Sequence, residues 1–202
     1  VKLYYSAGAC SLSTHIALKE SGLDFEAIAA PIKTHKLADG TDYYTINPLG
    51  YVPLLVLGDG RQLHEVAVIL QYVADQVPQL ALAPANGTFE RYKLQEWLNF
   101  IATELHKGFS PLFVPGMPDE AKALAKARLL GRLLWVDGEL AGHHFLMGDT
   151  FTVADAYLFV VQSWGKHVGV ETTGLPNLSA LAARVAARPA VQAALRAEGW
   201  VK

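Results

Sequence analysis

Apolar and polar positions divide the first third of the chain into short segments of two different periods. Lys2 to Ser6 is an aromatic-rich run of strand length, followed by the small-residue loop Ala7-Gly8-Ala9. Ser11 or Ser13 is positioned to cap a helix that runs through Ile16 and Leu18 and stops near Gly22. Phe25 to Ala29 has strand character again, and an intervening helix makes a parallel βαβ unit the economical reading. Polar residues then dominate from Lys33 to Asp42, with a turn at Asp39-Gly40 and another at Asn47-Pro48-Leu49-Gly50. Val52-Pro53 leads into the apolar run Leu54 to Leu57, and Gly58-Asp59-Gly60 returns the chain through Gln62-Leu63-His64 as a tight hairpin. Val66, Ile69, Leu70, Val73 and Val77 follow at i, i+3, i+4, i+7 and i+11, the apolar stripe of a helix.

Alternation of strand and helix ends there. Pro78 to Thr88 contains Pro78, Pro84 and Asn86-Gly87 and reads as the boundary between an α/β unit, residues 1–78, and an all-helical unit, residues 88–202. In the second unit Leu94, Leu98, Ile101 and Leu105 line one face of a helix predicted from about Thr88 to Phe109. Asp119 to Leu140 is rich in good helix formers, and Phe151-Thr152-Val153-Ala154-Asp155-Ala156 opens a further helix with a capping box, Asp155 standing where Glu is usual. The last helices are predicted from about Leu178 to Ala187 and from Pro189 to Ala197.

Composition narrows the class of protein. The 202 residues are 51% hydrophobic and 18% charged, enough apolar material for a substantial core. Seventeen Lys and Arg against nineteen Asp and Glu give a net charge of −2, and the basic residues are scattered. That pattern does not advertise a nucleic-acid or anionic-membrane partner. No apolar run approaches the ~18 residues of a membrane span, and the first residues lack a signal-peptide pattern. One cysteine rules out an intrachain disulfide, so a cytoplasmic protein is expected.

Cys10 follows the first strand through a small-residue loop and stands at a helix start. Unpaired amides and the positive dipole end favour a thiolate there, which lowers a thiol pKa. Position alone divides evenly between this reading and a small buried hydrophobe. Other chemistries are not supported. His64-Glu65 lacks a second histidine at metalloprotease spacing, and His143-His144 point to different helix faces, so no metal site is expected. The glycine-rich pieces match neither a dinucleotide fingerprint nor a P-loop, and Gly108-Phe-Ser-Pro-Leu112 lacks the second glycine of a nucleophile elbow.

Pro53 cannot donate to a sheet ladder. A cis Val52-Pro53 peptide would turn the Val52 backbone groups toward an extended ligand, whereas a trans proline in a plain turn is the commoner case. Glu65, just before a helix, reads either as a solvated charge complementing the dipole or as the partner of a ligand ammonium, with the Val66 amide taking the matching carboxylate. Asn99, Thr103, His106 and Ser110, spaced i, i+4, i+7 and i+11, share a polar face of the long predicted helix.

Together these pieces resemble the glutathione S-transferases, specifically the bacterial beta class. The resemblance spans nearly the whole chain: residues 2–12 (KLYYSAGACSL), 47–53 (NPLGYVP), Glu65 with 69–75 (ILQYVAD), 97–109 (WLNFIATELHKGF) and 151–157 (FTVADAY). Each motif is weak singly, and the ordered set is specific. It implies a thioredoxin-like N-terminal domain, an all-helical C-terminal domain that lines the electrophile site, and a homodimer. In the family the cysteine matching Cys10 contacts glutathione sulfur and can form a mixed disulfide with it. The residue matching Val52, before a cis-proline matching Pro53, pairs with the cysteinyl backbone, and positions matching Glu65 and Val66 hold the γ-glutamyl end. Those matching Asn99 and Thr103, Glu104, Leu105 and His106 approach glutathione, partly across the dimer interface, with the histidine near the sulfur. His35 stands where lysine is common, which weakens the expected pairing with the glycyl carboxylate and makes it pH-dependent. Val66 replaces a small or hydroxylated residue, and Ala7 and Thr14 replace prolines.

The leading expectation is an enzyme that adds the glutathione thiolate to an electrophilic carbon of a small apolar substrate, as in detoxification, with Cys10 and His106 as sulfur-side donors. Tyr5, Phe109, Phe113, Tyr157 and Trp164 are candidates for the apolar substrate wall, core packing being the alternative reading of each. Two alternatives stand beside it. One is thiol–disulfide exchange, or reductive dehalogenation, through Cys10. The other is a non-enzymatic ligand carrier on the same fold.

Overall fold

The structure is a computed structural model that describes residues 1–201. Contacts divide the chain into two compact units. The first comprises Val1–Leu82 together with the tail from Ala187 onward, and the second comprises Ala83–Ala186.

In the first unit, β1 (Lys2–Tyr5), α1 (Ser11–Ser21) and β2 (Glu26–Ala29) form the expected parallel βαβ unit, with Leu3 opposite Ala27. β3 (Leu54–Val56) runs antiparallel to β1, with Leu55 opposite Leu3, and β4 (Gln62–Leu63) completes the hairpin. The sheet order is β2-β1-β3-β4. Because β1 and β3 are central, Leu3, Leu54 and Leu55 have no exposed surface, and each such side chain contributes about 1.5–3 kcal/mol through burial. α2 (Val66–Asp75) packs on α1, and the whole predicted stripe from Val66 to Val77 is buried.

α1 ends at Gly22 in the left-handed conformation that glycine tolerates (φ 68°). Its start differs from expectation. Neither Ser11 nor Ser13 caps it; Cys10 itself is the N-cap residue, and the serines serve the loop before it.

The second unit begins with α3 (Phe89–Phe100), whose N-cap Thr88 accepts a hydrogen bond from the Arg91 amide. The predicted continuous helix to Phe109 is interrupted. Ile101–His106 adopts π-helical geometry, α4 (Lys107–Phe109) adds one α turn, and Ser110–Phe113 tightens into a 3₁₀ turn. Leu94, Leu98, Ile101 and Leu105 are buried throughout, so the apolar stripe survives the change of winding.

α5 (Asp119–Glu139) contributes Leu129, Leu133 and Val136 to the same core, and α8 (Pro176–Ala186) contributes Leu178, Leu181 and Val185. α6 (Val153–Ser163) is the most enclosed helix, with Val153, Ala154, Ala156, Leu158, Val160 and Val161 all without exposed surface. A short α7 (Gly165–Val168) follows it. The capping box at α6 is present, and the buried Asp155 carboxylate accepts from the Thr152 amide, the Thr152 hydroxyl and the Leu146 amide at 2.8–3.0 Å.

The final helix corrects the domain reading. α9 (Pro189–Ala197) does not belong with residues 88–186; it packs on α1 of the first unit. The side chains state why. Arg188 makes a two-pronged bond to Glu20 at 2.6 and 2.8 Å, and Glu198, just past α9, joins His15 at 2.9 Å in the interior. Among the described residues no helix is long and apolar enough to cross a membrane.

Candidate active site

The loop from Ser6 to Cys10 is held from both ends. The Ser11 hydroxyl accepts from the Ser6 amide at 3.1 Å and donates to the Ser6 carbonyl at 3.2 Å, closing the loop on the first turn of α1. At the crest of the loop, the Gly8 amide donates to Glu198 Oε2 at 3.0 Å while Glu198 Oε1 meets His15 Nδ1. The Trp200 indole lies against Gly8, which sits at φ 71°, so any side chain there meets both a strained backbone and an occupied space. Tyr5 and Phe25 rings flank His15 at 5.5 and 5.4 Å, and burial with the Glu198 charge pushes the Tyr5 phenol up from its ordinary value.

This bracing delivers a buried Cys10 thiol that donates to the Val52 carbonyl at 3.2 Å. The Val52-Pro53 peptide is cis. Val52 packs with Tyr4, Tyr43 and Leu54, and the preceding Tyr51 carbonyl accepts from the Tyr43 hydroxyl and the Asn47 amide group at 2.9 and 2.8 Å. Cys10 and Val52-Pro53, singled out separately in the sequence, are therefore one cluster.

Two further candidates of the first unit share an unusual backbone. Among the described residues, three non-glycine residues have positive φ, and His35 (51°) and Glu65 (67°) are two of them. Such conformations cost about 1–3 kcal/mol and persist where surrounding structure dictates them, a habit of ligand-binding positions. Glu65 is the N-cap residue of α2. Its carbonyl starts the helix by accepting from Val68 and Ile69, its side chain makes no capping bond, and it is exposed. Val66 buries its side chain and offers only its backbone amide, one of the unpaired donors of a helix start. His35 stacks on Tyr44 at 4.4 Å, above Gly50, and its Nδ1 is buried without a hydrogen-bond partner. A groove of about 520 Å³ opens at the opposite end of the strands, lined by Lys2, Phe25, Glu26 and Val56, and takes in none of the predicted site residues.

In the second unit, the π segment alters the predicted polar face. Its i→i+5 bonding widens the turn, so the α-helical spacing of Asn99, Thr103, His106 and Ser110 no longer keeps them in one row. The Thr103 hydroxyl turns back to the Asn99 carbonyl at 3.0 Å and the Ser110 hydroxyl to the His106 carbonyl at 3.3 Å. The Glu104 carboxylate is engaged by Arg132 Nε at 2.8 Å and Arg128 at 3.4 Å, and the Arg132 hydrogen bond, ahead of that from Arg128, holds its pKa below the usual range. Leu105 is a core side chain with no exposed surface.

His106 stands at the centre of an aromatic cluster. Its Nδ1 lies 2.7 Å from the Tyr157 hydroxyl and its ring 5.0 Å from that of Trp164, which in turn meets Phe109 and Phe113 at 5.8 and 6.1 Å. Burial, reinforced by the neighbouring Lys107 charge, pushes the His106 pKa down to about 4, so the imidazole is neutral at physiological pH. Of the wall candidates in this unit, Phe113 is exposed and Trp164 partly so, whereas Phe109 and Tyr157 are buried and serve packing and hydrogen bonding. Among the described residues no group of three or more His, Cys, Asp or Glu is arranged to hold a metal ion.

The sequence reading missed His15, inside α1, and its partner Glu198, which together with Trp200 reaches the Cys10 loop from the far end of the chain. Two features hinted at them: a histidine inside the apolar α1 and an acidic residue beside a tryptophan near the end of the chain.

Comparison with known proteins places the chain in a family. Residues 7–76 match the glutathione S-transferase N-terminal domain and residues 100–189 the glutathione S-transferase C-terminal domain. The glutathione S-transferase GstA of Escherichia coli O157:H7 is 48% identical over 98% of this chain and 99% of its own length. Among solved structures, the beta-class glutathione S-transferase of Sphingomonas chungbukensis is 48% identical with a TM-score of 0.95, both chains being covered in full. A sphingomonad glutathione S-transferase complexed with glutathione is 47% identical with a TM-score of 0.95, again over the full length of both. With both domains matched and relatives this similar from end to end, and with a bacterial beta-class enzyme among its solved neighbours, the chain belongs to the glutathione S-transferase family.

Proposed function

We propose that the protein binds glutathione, holds its sulfur as a thiolate, and transfers that sulfur to an electrophilic carbon of a small apolar substrate. The observation that carries this reading is the Cys10 thiol at 3.2 Å from the Val52 carbonyl, beside the cis Val52-Pro53 peptide. A backbone group turned away from the sheet pairs with an extended peptide, and a sulfur beside it meets the cysteinyl sulfur of that peptide. In this assignment Val52 pairs with the cysteinyl backbone, Glu65 takes the γ-glutamyl ammonium and the Val66 amide its carboxylate, and His35 faces the glycyl carboxylate. Cys10 and His106 act as donors to the sulfur, and Asn99 and Thr103 add polar contacts. Phe113 and Trp164 supply apolar surface to the electrophile. The thiol proton leaves to solvent, the thiolate forms the new carbon–sulfur bond, and either a leaving group departs with its electron pair or the adduct takes up a proton.

The experiment is glutathione conjugation to an aryl halide such as chlorodinitrobenzene by the wild type, Cys10→Ala and His106→Ala. Loss of kcat/KM in at least one variant, by about tenfold or more as for a lost charge-assisted hydrogen bond, is expected. If both variants kept wild-type rates and glutathione affinity, the assignment would be wrong. We further assign the protein to the cytoplasm, to detoxification and to a homodimeric state, the last checked by light scattering on the purified chain.

The same cluster favours a second reaction. The Cys10 thiolate attacks the glutathione sulfur of a mixed disulfide, releasing the substrate thiolate and forming a Cys10–glutathione disulfide. A second glutathione thiolate then attacks this disulfide, giving glutathione disulfide and restoring Cys10. Mass spectrometry after treatment with oxidised glutathione detects the adduct, and its absence at Cys10 removes this reading.

A further inference from the structure

His106 carries two ring nitrogens, and which one bears the proton decides whether the ring offers its remaining nitrogen as a donor or as a lone pair. The structure supplies the means of choosing. Tyr157 lies on α6 with 1% of its surface exposed, so its hydroxyl is held in the interior. The hydroxyl sits 2.7 Å from His106 Nδ1. That separation is typical of an O–H donor and shorter than the ~2.9–3.0 Å usual for N–H donors. The imidazole lone pair is also a better acceptor than a phenol oxygen, and a phenol O–H a better donor than a neutral imidazole N–H, so the pairing that uses both strong partners is O–H to nitrogen. The ring is flanked on two sides, by Tyr157 edge-on at 5.9 Å and by Trp164 at 5.0 Å, and the Tyr157 bond favours the orientation that turns Nδ1 to the hydroxyl. Burial keeps the ring neutral, which leaves the Nδ1 lone pair available to receive the phenol proton.

We propose that Tyr157 is a positioning residue that donates its phenol proton to His106 Nδ1 and so fixes the imidazole as the Nε2–H tautomer. The ring then presents a hydrogen-bond donor at Nε2, the form suited to a thiolate, instead of a lone pair that would repel one. The catalytic consequence rests on the role given to His106 under the proposed function; the tautomer itself does not.

The test has two parts, both on the full chain. Two-bond ¹H–¹⁵N correlation spectra of ¹⁵N-labelled protein at neutral pH, assigned by comparison with His106→Ala, are expected to show a pyridine-like Nδ1 and a pyrrole-like Nε2 for His106. In Tyr157→Phe, which keeps the buried ring and removes only the hydroxyl, the two signals move toward an exchanging mixture. A pyrrole-like Nδ1 in the wild type, or an unchanged spectrum in Tyr157→Phe, overturns the proposal.

Kinetics then read the coupling. Tyr157→Phe is expected to lower kcat/KM for glutathione about threefold to tenfold, the range for one net hydrogen bond. It is expected to have no further effect in a His106→Ala background. An equal loss in both backgrounds shows that Tyr157 acts by general stability and refutes positioning. If the tautomer is as expected while His106→Ala retains full activity, the tautomer assignment holds and it is the role of His106 toward glutathione that fails.

Discussion

Glu198 offers the sharpest test of how the Cys10 loop is held. Its carboxylate side chain is wholly buried, bonded to His15 through one oxygen and to the Gly8 amide through the other. Glu198→Ala removes the acceptor of the buried His15 ring and of the half-buried Gly8 amide, at about 1–3 kcal/mol for each bond lost. That brackets the 3–5 kcal/mol usual when one member of a buried pair is removed, so a loss of about 4 kcal/mol is expected. With a urea slope of about 3 kcal/mol/M, the unfolding midpoint falls by about 1.3 M. Unfolding followed by circular dichroism and by tryptophan fluorescence measures it, since coincident curves license the free-energy comparison. His15→Ala and the double variant complete a cycle in which the coupling energy is expected to exceed about 1.5 kcal/mol. Because Gly8 lies two residues from Cys10, alkylation of Cys10 by iodoacetamide is also expected to accelerate in Glu198→Ala. A midpoint shift worth less than about 1 kcal/mol, or single effects that simply add, would refute the claim that this buried pair braces the loop.

Other expectations are more local. Burial raises the Asp155 pKa from 3.8 to about 6 in the folded state, outweighing the hydrogen bonds from Leu146 and Thr152, so its contribution to stability is greatest below the unfolded value and is lost as pH rises through about 6. Relative to the non-titrating Asp155→Asn, the wild type therefore gains roughly 1–1.5 kcal/mol between pH 7 and pH 5, and a flat or opposite trend in urea midpoints would contradict this. At Gly50 (φ 66°), an added Cβ lies 2.6 Å from the Tyr44 ring and 3.0 Å from the His35 ring. Gly50→Ala is thus expected to cost about 1–3 kcal/mol and, by displacing His35, to raise the KM for glutathione more than it lowers kcat; an unchanged KM would separate His35 from ligand binding.

Much of this was legible in the residues. Short aromatic and apolar runs between turn residues marked β1 to β4, a period-3.6 stripe marked α2, and a proline ahead of β3 marked a special turn there, because each of these is a local demand of the backbone. The rest depended on partners far along the chain. Nothing in Pro189 to Ala197 encodes which unit the helix packs on; that is decided by Arg188 reaching Glu20 and Glu198 reaching His15, 168 and 183 residues away. The π segment escaped notice because Leu94, Leu98, Ile101 and Leu105 satisfy the α-helical period and remain buried in either winding. Glu65 carried no sign of its positive φ, since a glycine would have announced such a position and a glutamate does not. The readings of Cys10 and Val52 were separate inferences until the fold put the thiol against the carbonyl.

The bracing of Gly8 by Glu198 has a consequence in time. The two residues are 190 positions apart, with the whole second unit encoded between them. At about 5–20 residues per second on the ribosome, the Ser6–Cys10 loop emerges roughly 10–40 s before the carboxylate that fastens it. Through that interval the first unit lacks α9, Glu198 and Trp200, and its one thiol sits in an unfastened loop. A nascent chain stalled before residue 198 should therefore be alkylated at Cys10 faster than one released beyond Trp200.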